Sequence, residues 1–202
     1  MAERRARIVR AAYDLLARDG LEGLTIRSVL AETGLARRAF YDRFATKDDL
    51  VLAVFQHTLS DAAARFAELI APVECPVERL RLIVVGIVLG HGRRDADGDD
   101  APNYRAAALS REHLRLAEAR PAELQRAIAP LVELIATQLQ AGMQSGQVRS
   151  ANGERLAHLV YNLVSTTVHS QLIAEEHQMP DLEDRSRLAG DLWEFCLRAV
   201  SA

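Results

Sequence analysis

TIRSVLAETGLARRAFYDRFATK, residues 25–47, is the stretch on which the reading of this chain turns. Thr25 stands where it can cap a helix, and Ile26, Val29 and Leu30 follow as an apolar stripe at helical spacing. The pattern breaks at Thr33-Gly34-Leu35. A left-handed residue is needed to turn the chain there, and glycine adopts that conformation without the clash a Cβ would bring. A second helix is expected from Arg37 to Phe44, turning Phe40 and Phe44 inward and showing Arg37, Arg38, Tyr41 and Arg43 to solvent. A short helix, a glycine turn and a second helix with exposed arginines form the arrangement of a helix-turn-helix unit, whose second helix reads DNA.

Upstream, Ile8, Ala12, Leu15 and Leu16 recur at helical spacing from Ala2 to Asp19, and Gly20 should stop that helix. Downstream, Thr46 is placed to cap a fourth helix whose first turn carries Asp48 and Asp49 at the positive end of its dipole. Its apolar face runs from Leu50 through Val54 and Phe55 towards Ile70, and Pro72 ends it. Taken together, Ile8, Ala12, Leu15, Gly20, Thr25, Ile26, Gly34, Phe40-Tyr41, Phe44, Lys47 and Leu50 resemble the N-terminal domain of the TetR family of transcriptional regulators. Phe40-Tyr41-Asp42-Arg43-Phe44 followed by Lys47 is the most diagnostic part.

That resemblance implies a three-helix DNA-binding head over residues 1–47 and a helical ligand-binding and dimerisation domain over 48–202. It also implies roles for residues. Tyr41 matches a tyrosine that meets the DNA backbone through its hydroxyl, and Lys47 a lysine that touches phosphate. Lys47 is the only lysine in the chain. Arg38 and Arg43 are candidates for base or phosphate contact, because a guanidinium offers two parallel donors to guanine or phosphate. Thr25 and Arg27, at one helix start, and Arg37, at another, are candidates for phosphate. Ala36 departs from the family, which carries Ser or Thr there to cap the recognition helix. Arg4, Arg5 and Arg7 form either a solvated charge run or an arm reaching phosphate.

The net charge of −3 conceals an uneven distribution. Residues 1–47 hold ten basic and six acidic side chains, a net of +4, which leaves −7 for the rest. DNA responds to the local field of the basic face, so an acidic body does not exclude it. Hydrophobic residues at 49% and charged residues at 26% describe a folded protein. The two cysteines, Cys75 and Cys196, are far apart and read as free thiols. No signal-peptide core follows the N-terminal arginines and no apolar run reaches membrane-spanning length, so a cytoplasmic protein is expected.

The rest of the chain reads as helices: an apolar one from Pro76 to about Gly90, then Tyr104 to Ala119, about Ala122 to Gln144, Gly153 to Glu176, and about Leu182 to Ala199. Pro130 should kink the third of these or delay its start. Asn152 can cap the fourth. Ala106 to Leu109, Leu114 and Leu116 should pack the helix from Tyr104. Loops are expected at 90–103 and 177–181. DADGDD in the first has the wrong spacing for a calcium loop. No strand pattern occurs, and an all-α fold of about nine helices follows.

The six histidines are scattered, with no HExxH, GxSxG or Cys/His pairing. No metal site, cofactor or catalytic group is assigned, and an enzyme is not expected. Tyr104, Tyr161, Asn162, Thr166 and His169 are polar groups on apolar helices that could orient a small molecule. The last two helices are expected to form the dimer, with Val160, Val164, Val168, Leu172, Leu192, Trp193 and Phe195 in the interface. The reading is a homodimeric repressor, released from a palindromic double-stranded DNA operator by a small-molecule effector. An activator or an effector-independent regulator would share the fold. A helical-bundle enzyme or ligand carrier, with an accidental helix-turn-helix signal, is the remote alternative.

Overall fold

The computed structural model describes residues 2–90, 104–175 and 181–202, apart from the side chains at 2, 104 and 105. The expected loops at 90–103 and 177–181, with the DADGDD stretch, lie almost wholly outside the described residues. Nine helices account for the described chain, as the sequence predicts: α1 Ala2–Gly23, α2 Ile26–Thr33, α3 Arg37–Tyr41, α4 Lys47–Ile70, α5 Pro76–Leu89, α6 Tyr104–Ala119, α7 Pro121–Gln144, α8 Gly153–Ala174 and α9 Leu182–Val200.

Two compact units divide these helices. The first comprises Met1–Thr58, Ala101–Ala127 and Leu172–Met179; the second comprises Leu59–Asp100, Ile128–Gln171 and Pro180–Ala202. The expected division of 1–47 from 48–202 differs from this one because α6 packs on α1 and so joins the first unit.

In the first unit, α1 presents Ile8, Val9, Ala12, Leu15 and Leu16 to the interior. Gly20 does break it, at φ 63° and ψ −165°, but a further turn follows to Gly23. Leu24 then enters the core fully buried. From α6, Ala107, Ala108 and Leu116 are buried, whereas Leu114, expected to pack, is 51% exposed. Leu116 lies two residues on from Leu114, near the opposite side of a 3.6-residue helix, so only one of them can face inward. Two ion-pair chains tie the start of α4 to α6 and α7. Arg115 bridges Asp48 at 3.1 Å and Glu112 at 2.8 Å, and Arg120 bridges Asp49 at 2.9 Å and Glu123 at 3.1 Å.

In the second unit, every residue of α5 is buried or half-buried, as expected of a helix apolar around its circumference. It packs against α9, and against Phe66 so closely that a Cβ on Gly86 would lie 2.5 Å from the ring. Pro130 stands inside one continuous α7, which is not delayed. Asn152 caps α8, its Oδ1 accepting from the Arg155 N–H at 2.9 Å. The C-terminus is stitched to the α7–α8 loop by a bridge between Val148 and Ser201 and by the Arg149 N–H donating to the Val200 carbonyl at 2.9 Å.

Candidate nucleic-acid interface

The geometry of α2 and α3 follows from local chemistry. Thr25 caps α2 reciprocally with Ser28: the Ser28 N–H donates to the Thr25 hydroxyl at 3.0 Å, and the Thr25 N–H donates to the Ser28 hydroxyl at 2.9 Å. Gly34 terminates α2 at φ 64°, ψ 17°, its N–H donating to the Leu30 carbonyl at 2.9 Å. Ala36 is then the N-cap of α3, and no side chain caps it. The helix ends at Tyr41, three residues short of Phe44. Phe44 still reaches the core, because its N–H continues the ladder to the Phe40 carbonyl at 3.0 Å. Phe40 is fully buried and Phe44 is 3% exposed, as their spacing predicts. Their rings lie 5.6 Å apart.

With both phenylalanines inside, the opposite face of α3 is open. Arg37, Arg38 and Tyr41 are exposed there, and Thr25 and Arg27 are exposed at the start of α2. Tyr41 and Arg37, one turn apart, organise each other. The guanidinium lies 5.6 Å over the ring and donates to the hydroxyl at 3.4 Å, which raises the arginine above its ordinary pKa. Arg38 is exposed on the same face and points its guanidinium to solvent.

Arg43 and Lys47 are held differently from that open face. The Arg43 side chain is only 14% exposed, donating to the Ala39 carbonyl at 3.3 Å, with Asp42 at 3.9 Å. Lys47, half-buried, donates from Nζ to the Leu21 carbonyl near the end of α1 at 3.2 Å. The basic residues of the N-terminus are helical in α1. Arg5 lies 5.6 Å over the Phe44 ring, and Arg7 donates to the Thr33 carbonyl at the end of α2. Sequence spacing gives no hint of the Lys47, Arg5 and Arg7 contacts, which join residues 26 or more positions apart. The Thr25–Ser28 and Thr46–Asp49 caps, by contrast, are visible as three-residue spacings. At the latter, the Asp49 N–H donates to the Thr46 hydroxyl at 3.2 Å and its carboxylate accepts from the Thr46 N–H at 3.0 Å.

Outside this face, the residues proposed for a ligand and a dimer separate onto two sides of α8. Tyr161 is 3% exposed; burial pushes its phenol pKa up, against a hydrogen bond to Ser165. Asn162 and Thr166 instead lie on the outer stripe Arg155, Leu159, Asn162, Thr166, Ser170, since α8 turns its Tyr161 and Ser165 edge inward. His169 is half-buried, and the side chain of Tyr104 lies outside the described residues. Val160, Val164, Val168 and Leu192 are buried within the subunit itself, and Leu172 and Trp193 are half-buried. Of the expected interface residues, Phe195 is open, at 63%; Leu159, not among them, is 60% exposed.

Residues 8–54 match the sequence model of the bacterial regulatory proteins, tetR family. The match covers α1 to the start of α4, the segment that carries the helix-turn-helix geometry. The same fold extends over the whole chain. A TetR-family transcriptional regulator from Mesorhizobium loti superposes with a TM-score of 0.70 at 15% identity, covering 100% of this chain and 98% of that one. The regulator FadR from Bacillus subtilis, in complex with stearoyl-CoA, gives 0.69 at 16% identity over 95% and 97%. RolR in complex with resorcinol gives 0.72 at 16% identity over 98% and 88%. No curated protein sequence matches the chain. The family match covers the head, and the solved structures show the fold of the whole chain. Among the described residues no helix is long and apolar enough to cross a membrane.

Proposed function

We propose that this chain is a cytoplasmic, homodimeric repressor that leaves a near-palindromic operator when a small molecule binds its second unit. The observation that carries the DNA assignment is the open face of Arg37, Arg38 and Tyr41, backed by buried Phe40 and Phe44. Each subunit would set α3 in a major groove, with half-sites about one helical turn, roughly 34–36 Å, or a multiple apart. Thr25, Arg27, Arg37 and Lys47 would hold phosphate, and Arg38 and Arg43 phosphate or base edges. Arg43 and Lys47 would first exchange an internal carbonyl for DNA.

Support for an effector comes from the fold: FadR and RolR are crystallised with stearoyl-CoA and resorcinol. In this chain Tyr161 is the interior candidate among the polar residues proposed for the ligand, and Asn162 and Thr166 fit the outer, subunit-facing side of α8 better. Phe195 and Leu159, large apolar side chains left open on α9 and α8, support a dimer through these helices. The effector would favour a state whose two heads no longer match the half-site spacing, with α4 carrying the change. DNA and effector must then weaken each other by the same factor.

The test is fluorescence anisotropy with genomic fragments at several salt concentrations. Tight binding with a steep negative salt slope is expected, and Arg38→Ala with Tyr41→Ala should abolish it. Undiminished binding by that double variant overturns the site. Reporter expression from the neighbouring promoter, with and without the protein, separates repressor from activator.

A further inference from the structure

Resting on the reading that α3 meets DNA, we propose that Arg5 and Arg7 are positioning residues, bracing the helix-turn-helix from α1 rather than contacting phosphate. Arg7 Nη2 donates to the carbonyl of Thr33, the last residue of α2. That carbonyl is among those at a helix end with no partner inside the helix. α2 has no basic residue of its own in its last turn. The guanidinium therefore supplies both a donor and the positive charge that the negative end of a helix favours. Arg5 lies 5.6 Å over the ring of Phe44, three residues beyond the end of α3. That ring is 3% exposed and packs on Phe40, the fully buried residue of α3, so the cation covers a ring that anchors the helix.

These braces act where local support is thin. α3 is five residues long, and Ala36 gives it no side-chain cap. Gly34, between the helices, has φ 64° and open space where a Cβ would stand. A glycine turn has more backbone freedom to lose than any other when it is ordered. Fixing Thr33 before that turn and Phe44 after α3 limits where Arg38 and Tyr41 can point. Two residues apart on α1, Arg5 and Arg7 stand about 200° apart round the helix and so reach different ends of the unit. Ile8 and Val9, buried next to them in sequence, anchor α1 itself. To meet phosphate, either guanidinium would first have to leave its partner.

The experiment compares the full-length parent with Arg7→Met, Arg5→Met and Arg7→Lys. The probes are a duplex that the parent selects from a random-sequence pool and a scrambled duplex of the same length, followed by anisotropy at three salt concentrations. Each Met variant should bind the selected duplex about fivefold more weakly, the effect of one net hydrogen bond, and scrambled DNA as tightly as the parent. The slope of log K against log salt should stay that of the parent, whereas loss of a phosphate contact would reduce it by about 0.9. Either variant combined with Arg38→Ala should lose less than the sum of the two, since both act through α3. Arg7→Lys, which keeps a charged donor, should restore most of the affinity. Amide exchange reads the braces without DNA: the N–H groups of Gly34 and Phe44, bonded to the Leu30 and Phe40 carbonyls, should exchange faster in Arg7→Met and Arg5→Met respectively, with α1 unchanged. Equal losses on both duplexes with a shallower slope would make these arginines phosphate contacts and overturn the proposal. So would undiminished binding of the selected duplex, or exchange at Gly34 and Phe44 that does not respond. A parent that binds neither duplex removes the DNA reading and this role with it, and faster exchange in the variants would then show the contacts to be structural alone.

Discussion

Ala36→Ser tests stability and recognition together. Ala36 already has the extended backbone of an N-cap, φ −67° and ψ 148°, is exposed, and has no side-chain oxygen to add to its carbonyl, which accepts from the Ala39 N–H at 2.9 Å, at the start of a helix only five residues long. A serine hydroxyl there can accept from the Arg38 N–H, which should stabilise the head by about 0.5–2 kcal/mol. For a chain of this length that corresponds to a rise in Tm of about 2–4 °C per kcal/mol. The same hydroxyl would stand at the N-terminus of the helix proposed to meet DNA, where it can donate to phosphate. A net gain of about 1 kcal/mol is a fivefold lower Kd. Because serine is neutral, the slope of log K against log salt should not change. Ala36→Asp separates the two effects: it also caps and suits the dipole, so Tm should rise, but it repels phosphate and should weaken DNA binding. Thermal melts monitored by circular dichroism, with anisotropy at three salt concentrations, read both quantities. If serine leaves Tm unchanged, α3 is not limited by its cap. If aspartate binds DNA as well as serine does, the start of α3 is not near phosphate.

Three further outcomes follow from particular contacts. Arg38→Ala should weaken DNA binding more than Arg43→Ala, because the Arg43 guanidinium is bonded to the Ala39 carbonyl; equal losses by anisotropy would show that this bond is given up on DNA. His113, with its ring 5.7 Å from Phe55, has its pKa lowered by burial, so the unfolded chain takes up the proton first as pH falls through the ordinary value of about 6.5. Stability is thus present above that pH and lost below it, and denaturant melts should show His113→Phe losing less between pH 7 and 5 than the parent; identical slopes refute the contribution. Gly86→Ala sets a Cβ 2.5 Å from the Phe66 ring and should cost about 1–3 kcal/mol by overpacking. Phe66→Leu should relieve part of that cost in the double variant, and strictly additive losses in Tm would mean the two do not meet.

The head was legible because its determinants are local. Gly34 needs a positive φ, Phe40 and Phe44 repeat at helical spacing, and Ala36 lacks a side-chain oxygen; each is settled by its immediate neighbours. Lys47 reads as an open cation because nothing nearby announces the Leu21 carbonyl that it finds 26 residues away, whereas the Arg43 bond to the Ala39 carbonyl is local. The same limit explains α8. Tyr161 and Asn162 are adjacent polar residues on a helix with apolar residues on several sides, and only packing decides that the first faces in and the second out. Leu114 was misplaced for the same reason. These long-range bonds have a consequence for the proposed mechanism. The first turn of α4 holds Lys47 on the Leu21 carbonyl, Asp48 on Arg115 and Asp49 on Arg120, all within the first unit. The Asp49 carboxyl pays a desolvation penalty, yet the Arg120 and Thr46 hydrogen bonds hold it below the usual range. A shift of that turn would alter the cation available to phosphate and both ion pairs at once. Hence removing Arg115 and Arg120 together should change DNA affinity although neither faces DNA, and unchanged affinity would sever α6 from the operator.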